Sequence, residues 1–179
     1  MAVTYYTADL VRALPDDGRR YEVAHGELLV TPAPRHVHQR VVTRLVTALS
    51  RYLEAEPVGE ALVSPADISW SADTLVQPDV FVVPLDQART LDWRQMKTLL
   101  VAVEVLSPST ARADRFTKRR LYQEVGVATY WIVDPERRCV EVWTPDATAP
   151  VVEWAAVSWQ PAGADEALTL RLDELLRPL

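Results

Sequence analysis

The sequence predicts an α/β or α+β fold with a mixed β-sheet flanked by helices. A long amphipathic segment, residues 36–54, lies between shorter segments that have the composition of strands. Residues 99–133 contain one strand–helix–strand unit, in which a crossover helix joins two strands of the same sheet. Further strand patterns on both sides of these helices indicate that the sheet is mixed.

The first elements are a short helix, a hairpin and a long helix. Residues 8–14 have a helical pattern that ends at the turn sequence Pro15-Asp16-Asp17-Gly18. Two short strands, 21–24 and 27–30, flank a His-Gly turn and predict a hairpin. Apolar residues at intervals of three and four predict a long helix from His36 to Glu54.

Strand patterns dominate the rest of the chain. They lie near residues 60–70, 75–83, 99–106, 128–133, 139–144 and 151–157. The polar connection at 86–97 has room for one helical turn, and a short helix near 172–176 ends the pattern. Residues 107–110, Ser-Pro-Ser-Thr, offer hydroxyl caps to a helix that runs to about Glu124. The buried stripe predicted for this helix consists of Phe116, Leu121, Tyr122 and Val125.

Composition and charge limit the class of protein. The chain has 179 residues, 49% of them hydrophobic, and no linker divides it, so we expect a single domain over residues 1–179. A formal net charge of -6 argues against a DNA-coating protein but permits a local basic patch. One cysteine, Cys139, excludes an internal disulfide and fits a reducing compartment. Neither a signal peptide nor a membrane span is evident, so we expect a soluble, cytoplasmic protein.

Two acidic residues stand inside apolar strand segments. Asp79 lies in QPDVFVV, residues 77–83, and Glu104 lies in LLVAVEVL, residues 99–106. Burying an unpartnered charge is costly, so two such acids suggest that they meet around a cation. Mg²⁺ usually takes one or two carboxylates plus water and phosphate oxygens, and the two acids would suffice. Such an ion activates water and neutralises charge on a phosphodiester.

Lys118 is the candidate for a positive charge near these acids. The turn at 107–110 leads from the strand of Glu104 straight into the helix that carries Lys118. Ordinary structural roles stay open for all three residues. Asp79 could cap a turn, Glu104 could pair with an arginine, and Lys118 lies four residues after Asp114, as in a common surface pair.

Two further features bear on nucleic-acid chemistry. His38 could orient a water or a phosphate or transfer a proton, or it could be a polar residue at a helix start. The densest basic cluster either forms a solvated helix face or tracks a phosphate backbone. It consists of Arg112, Arg115, Lys118, Arg119 and Arg120.

The sequence resembles the Uma-two family of restriction endonuclease-like proteins, within the PD-(D/E)XK nuclease superfamily. The matching motifs are Tyr21-Glu22-Val23, Gly26-Glu27-Leu28, His38-Gln39, Gln77-Pro78-Asp79-Val80, Val103 to Thr110, Asp114 with Lys118 and Tyr122, Gly126-Val127, and Tyr130 to Pro135. The resemblance covers about residues 20–135. It implies a restriction-endonuclease-like core there, followed by C-terminal strands and a short helix within 139–179.

The resemblance also implies roles for individual residues. Asp79 is the aspartate of the PD element and Glu104 the second acid, with Val105 as a further metal position. The superfamily pattern has an acid, any residue and then a lysine, and Leu106 occupies the lysine position here. Lys118 is the implied replacement. Glu27 matches a glycine-glutamate motif whose acid joins the metal site, although it could equally be an outward strand residue. His38 completes the implied catalytic set.

The function predicted on this basis is a Mg²⁺- or Mn²⁺-dependent endonuclease, a hydrolase that cleaves DNA phosphodiester bonds. We expect a homodimer, because nucleases that cut both strands commonly pair their sites and two-fold dimers are the commonest assembly. The alternative is a catalytically inactive nuclease-fold domain that acts as a binding or dimerisation module. The acidic net charge and the missing strand lysine favour that alternative.

Overall fold

The N-terminal elements follow the predicted order in the computed structural model, which describes residues 4–178. They are α1 (Ala8–Arg12), β1 (Arg20–Ala24), β2 (Glu27–Thr31) and α2 (His36–Ala55). The side chain of Thr7 caps α1 by accepting the N–H of Leu10. His25 and Gly26 both have positive φ, 52° and 76°, as a two-residue hairpin turn requires.

A six-stranded mixed sheet forms the centre of the molecule. In spatial order its strands are β3 (Gly59–Val63), β4 (Val80–Pro84), β5 (Val101–Val105), β6 (Tyr130–Asp134), β7 (Cys139–Trp143) and β8 (Val151–Glu153). β5 and β6 are parallel and the other neighbours are antiparallel, which confirms the predicted mixed sheet. The predicted strand at 75–83 is shorter in the structure and begins at Val80, because Pro78 has no N–H to donate to a ladder.

Helices cover both faces of the sheet. One stripe of α2, from Val41 through Leu45 and Leu49 to Leu53, packs on valines of β4 and β5. Alternate residues of the same strands, such as Phe81 and Ala102, face the opposite core. A short helix, α3 (Leu85–Ala88), and a 3₁₀ turn at Trp93–Gln95 occupy the polar connection between β4 and β5.

The connection from β5 to β6 differs from the predicted continuous α-helix. Ala113–Lys118 forms a π-helix, which continues as α4 (Arg119–Glu124). The wider turn, in which Arg119 N–H bonds Asp114 C=O, changes which side chains face the sheet. The prediction that Phe116 is buried is therefore wrong, since its relative exposure is 63%. Asp114 and Lys118 are buried instead.

The C-terminal elements are β9 (Ala156–Trp159), β10 (Leu168–Arg171) and α5 (Leu172–Leu175). The single strand predicted at 151–157 is thus divided between β8 and β9, and β10 was not predicted. β9 and β10 form a separate antiparallel hairpin whose apolar residues join the core beside α2. Among residues 4–178, no helix is long and apolar enough to cross a membrane.

Candidate active site

The sheet brings Asp79 and Glu104 together. Val80 of β4 pairs with Val103 of β5 in an antiparallel ladder. Asp79, one residue before Val80, is therefore beside Glu104, one residue after Val103. Both residues are buried, with exposures of 5% and 2%. They line one pocket of about 210 Å³, which we call the acidic pocket. The other polar residues that line it are Arg20, Glu22, Thr31, Arg35, His38, Ser107, Ser109, Thr110 and Lys118.

Asp79 is held by three donors. Its Oδ2 accepts the backbone N–H of Val105 at 2.9 Å and lies 2.9 Å from His38 Nε2. Its Oδ1 accepts a hydrogen bond from Arg20 Nη1 at 3.1 Å. Burial alone would raise the pKa of Asp79, but His38, Arg20 and the Val105 N–H lower it to about 2. Asp79 is therefore a carboxylate at any physiological pH.

Glu104 shares its environment with Lys118. Lys118 Nζ donates to Glu104 Oε1 at 3.0 Å, and Tyr122 Oη donates to the same oxygen at 3.0 Å. Burial raises the pKa of Glu104 well above its usual range, and the charge of Lys118 only partly opposes this. Burial alone would lower the pKa of Lys118, but the acids around the side chain raise that pKa well above its usual value. Lys118 thus stays protonated.

Two more buried acids complete the cluster. Glu22 in β1 lies 2.9 Å from Lys118 Nζ and accepts the backbone N–H of Gln77 at 2.7 Å. Asp114 lies 3.6 Å from Lys118 Nζ, and burial raises its pKa to about 6. Sequence reasoning assigned neither residue to the site. Glu22 nevertheless shows the same signal as Asp79 and Glu104, an acid between apolar neighbours in a predicted strand.

The structure separates the sequence-predicted residues into two groups. It gathers Asp79, Glu104, Lys118 and His38 in the acidic pocket. Glu27 is exposed at the start of β2, directly after the hairpin turn, and does not line that pocket. Val105 contributes its backbone N–H to Asp79, and its role at a metal stays a prediction.

The predicted basic cluster does not form a continuous cationic face. Arg115 bonds Asp134 and Glu141 at 2.8 and 2.9 Å. Arg119 lies over the Trp143 ring at 4.8 Å. Lys118 is buried, and Arg120 pairs with Glu124 at 2.7 Å. Of the five residues, only Arg112 is exposed without such a role, so a phosphate track along this helix has no support.

The donor set of the acidic pocket fits a hard divalent cation. Four buried carboxyl groups, those of Glu22, Asp79, Glu104 and Asp114, outnumber two permanent cations, Arg20 and Lys118. Burial raises the pKa of Glu104 and of Asp114, so each can hold a proton that a bound cation would displace. Both hydrogen bonds that Glu104 accepts within the described residues go to Oε1, so Oε2 is available to a ligand. Residues 4–178 contain no group of three His, Cys, Asp or Glu placed to hold a metal. An ion on Asp79 and Glu104 would take its other ligands from water and substrate, as Mg²⁺ commonly does.

Comparisons with known proteins identify a family and a fold. A family model named Uma2 and described as "Putative restriction endonuclease" matches residues 8–175. A crystal structure from Anabaena variabilis, described as "a putative nuclease belonging to DUF820", has the same fold with a TM-score of 0.78. Its sequence is 21% identical, and the similarity covers 96% of this chain and 97% of that chain. No curated protein matches the sequence.

Proposed function

Because the chain belongs to the Uma2 family of restriction endonuclease-like proteins, as its motifs predict, we propose that it is a Mg²⁺-dependent endodeoxyribonuclease. One observation carries the proposal. Lys118 Nζ lies 3.0 Å from Glu104 Oε1, in the pocket that also contains Asp79. Two acids and a lysine therefore meet in one place, although the lysine comes from a helix and not from the strand.

In this proposal Asp79 and Glu104 hold Mg²⁺ or Mn²⁺. The ion, when bound, supplies a water of lowered pKa and neutralises charge on the phosphodiester. Lys118 acts as a fixed positive charge toward the phosphate and not as a base, because its raised pKa keeps its proton in place. His38 and the Val105 N–H orient the Asp79 carboxylate by their bonds to Oδ2.

The substrate, assembly and location follow from the same proposal. The substrate is DNA, which the family description favours. A two-fold homodimer would set two acidic pockets against the two strands of a duplex. Cys139 is free and buried, which is compatible with the reducing cytoplasm.

A second candidate function has one observation in its favour. Each oxygen of Asp79 already accepts a hydrogen bond from the protein, as in a polar cluster that is complete without a metal. The second candidate is therefore a catalytically inactive nuclease fold that serves as a binding or dimerisation module. Its weak point is that four buried carboxyl groups outnumber two cations, since a purely structural cluster gains nothing from burying the additional acids.

Plasmid cleavage with Mg²⁺ or Mn²⁺ tests the first candidate. Asp79→Asn and Glu104→Gln remove one carboxylate charge each with little change of shape, and we expect each to lower the rate by about 100-fold or more. The matched control is Glu27→Gln, which makes the same exchange outside the pocket and is expected to cleave at the wild-type rate. Undiminished cleavage by both pocket variants would refute the proposal.

Calorimetric titration of Mn²⁺ separates the two candidates without any measurement of cleavage. The nuclease is expected to bind Mn²⁺, and Asp79→Asn is expected to abolish that binding while Glu27→Gln preserves it. An inactive module is expected to bind no Mn²⁺ through Asp79 and Glu104. Absence of binding by the wild-type protein would therefore favour the second candidate.

A further inference from the structure

A second pocket of about 450 Å³ adjoins the acidic pocket. We call it the flanking pocket. It lies between α1, the turn before β1, the start of α2 and the loop after β3, and both pockets share Arg20 and Pro34 in their walls. Its volume is in the range typical of small-ligand sites.

We propose that the flanking pocket binds the nucleotide next to the phosphate that is cleaved. This inference rests on the proposed function, because it assigns the cleaved phosphate to the acidic pocket. It adds a site at which the protein contacts a base, and so a place where sequence preference arises. The walls of the pocket contain groups that suit the phosphate and the base of a nucleotide.

Arg20, which lines both pockets, is placed to bind the phosphate of that nucleotide. A guanidinium has five N–H donors. Both hydrogen bonds that Arg20 makes among the described residues, to Gln77 C=O at 2.9 Å and to Asp79 Oδ1 at 3.1 Å, come from Nη1. The donors on Nε and Nη2 are therefore left for a phosphate oxygen, and planar guanidinium groups suit such oxygens well.

The base would bind in the part of the flanking pocket that has apolar sides and polar groups at its edges. Leu14, Pro34 and Pro65 supply apolar surface for the faces of a ring. Gln39, Asp67 and Gln77 supply donors and acceptors for its edge. This combination matches a nucleobase, which has apolar faces and a polar rim.

Gln77 carries an unused acceptor in this wall. Its Nε2 donates to Asp67 Oδ1 at 2.9 Å, whereas its Oε1 is buried and has no hydrogen-bond partner among residues 4–178. Buried acceptors are rarely left without a donor. An amino group at the edge of a base would supply that donor after a small shift of the side chain.

Arginines in the wall of the flanking pocket supply N–H donors that suit a phosphate. Its three arginines, Arg12, Arg19 and Arg20, outnumber its two acids, Asp16 and Asp67. Arg12 Nε lies 3.6 Å from Asp67 Oδ2, so one of these charges is already balanced. Arg19 Nε lies 3.7 Å from Asp17 Oδ2 and Arg20 Nη1 lies 3.1 Å from Asp79 Oδ1, so these arginines are paired as well, and they offer a phosphate the N–H donors that the pairs leave unused.

The test fills the pocket and measures DNA binding. Gln39 is an exposed residue of α2 in the pocket wall, so Gln39→Trp occupies the slot without disturbing the core. Thr43→Trp is the matched control, because Thr43 is exposed one turn later on α2 and lies outside both pockets. Thermal melting of the two variants checks that both are folded.

The probe is a fluorescein-labelled DNA of mixed sequence, single-stranded or duplex, with EDTA present to prevent cleavage. We expect Gln39→Trp to raise the Kd at least about tenfold, and Thr43→Trp to leave it unchanged. Equal affinity of the two variants would refute the flanking pocket as a nucleotide site, and so would a wild-type protein that does not bind the probe.

Plasmid cleavage by the same proteins distinguishes failure of this inference from failure of the proposed function. If the wild type cleaves and Gln39→Trp behaves like Thr43→Trp, the nuclease stands and the flanking pocket is refuted. If the wild type does not cleave but Gln39→Trp still loses DNA affinity, the flanking pocket stands as a DNA-binding site and the nuclease is refuted.

Discussion

Replacing Lys118 with methionine keeps the length of the side chain and removes its charge. In the native protein Nζ lies 2.9 Å from Glu22, 3.0 Å from Glu104 and 3.6 Å from Asp114. All four side chains are buried, with Lys118 itself 3% exposed. The variant therefore confines three carboxyl groups in a space that contains no compensating lysine.

The size of the effect follows from this burial. Removing one partner of a buried ion pair costs about 3–5 kcal/mol, because the remaining charge is left unpaired. We expect a loss of this order in the free energy of unfolding at pH 8. The control is Arg120→Met in α4, since the Arg120–Glu124 pair is exposed, with side-chain exposures of 70% and 44%. Pairs of that kind contribute less than about 1 kcal/mol.

The loss is expected to shrink as the pH falls. The pKa values of Glu104 and Asp114 are already raised in the folded protein, and removal of Lys118 raises them further. A folded state with raised carboxyl pKa values binds more protons than the unfolded state, so acid favours it. Lys118→Met is thus expected to recover part of its stability between pH 8 and pH 5, both values chosen to bracket the pKa of about 6 of Asp114.

Urea denaturation followed by tryptophan fluorescence measures both quantities, since Trp131 is fully buried. The reasoning is refuted if Lys118→Met costs no more than Arg120→Met at pH 8. It is refuted equally if the loss at pH 5 matches the loss at pH 8, because the three carboxyl groups then do not sense the lysine.

Three other outcomes are expected from the same geometry. The pKa of Asp79 falls from 3.8 to about 2 on folding, which contributes roughly 2 kcal/mol of stability above pH 4 that is lost as the pH falls toward 2. Asp79→Asn is therefore expected to make the free energy of unfolding less dependent on pH in this acid range. The pKa of Asp114 rises from 3.8 to about 6 on folding, so its ionisation makes the folded state less stable above pH 6. Asp114→Asn is therefore expected to stabilise the protein at pH 8 by up to about 3 kcal/mol and to have no such effect at pH 3. Destabilisation at pH 8 would contradict this. Phe116→Ser is expected to change the free energy of unfolding by less than about 0.5 kcal/mol, because the ring is exposed. Leu121→Ala, in the same helical connection, is expected to cost about 2–5 kcal/mol. Equal costs in urea denaturation would show that Phe116 is buried.

The sequence predicted most of the fold because its strands and its long helix carry strong local patterns. The α2 stripe repeats at helical spacing from Val41 to Leu53, and β4 and β5 are almost uniformly apolar. β10 has no counterpart among the predicted strands because its four residues, Leu168–Arg171, are too few for their alternation to be distinctive, and they gain their place by pairing with β9. Phe116 was misplaced because a π-helix follows from tertiary packing and leaves no mark in the spacing of apolar residues.

The candidate site was predictable in part for the same kind of reason. Asp79 and Glu104 stand out because charges in apolar strands are rare. The glycine-glutamate motif favours Glu27 over Glu22, but the pairing of Glu22 with Leu29 and of Ala24 with Glu27 places both glutamates on one face of the hairpin. Glu27 adjoins the turn and is exposed, whereas Glu22 lies farther from the turn, bonds the Gln77 N–H and is buried; the sequence does not show which end of the hairpin the fold will bury.

The helical origin of Lys118 makes one distance in the site adjustable. In a strand, an acid and a lysine two residues apart have a separation fixed by covalent geometry. Here the separation of Lys118 from Glu104 depends on how firmly the π-helix is held against the sheet, through the Tyr122 hydroxyl on Glu104 and the Tyr130 hydroxyl on the Asp114 carbonyl. The two tyrosine rings, whose centroids are 4.7 Å apart, thus set the distance between the lysine and the acids. Tyrosine-to-phenylalanine changes would alter that distance by removing these hydroxyl hydrogen bonds while the acids and the lysine stay in the sequence.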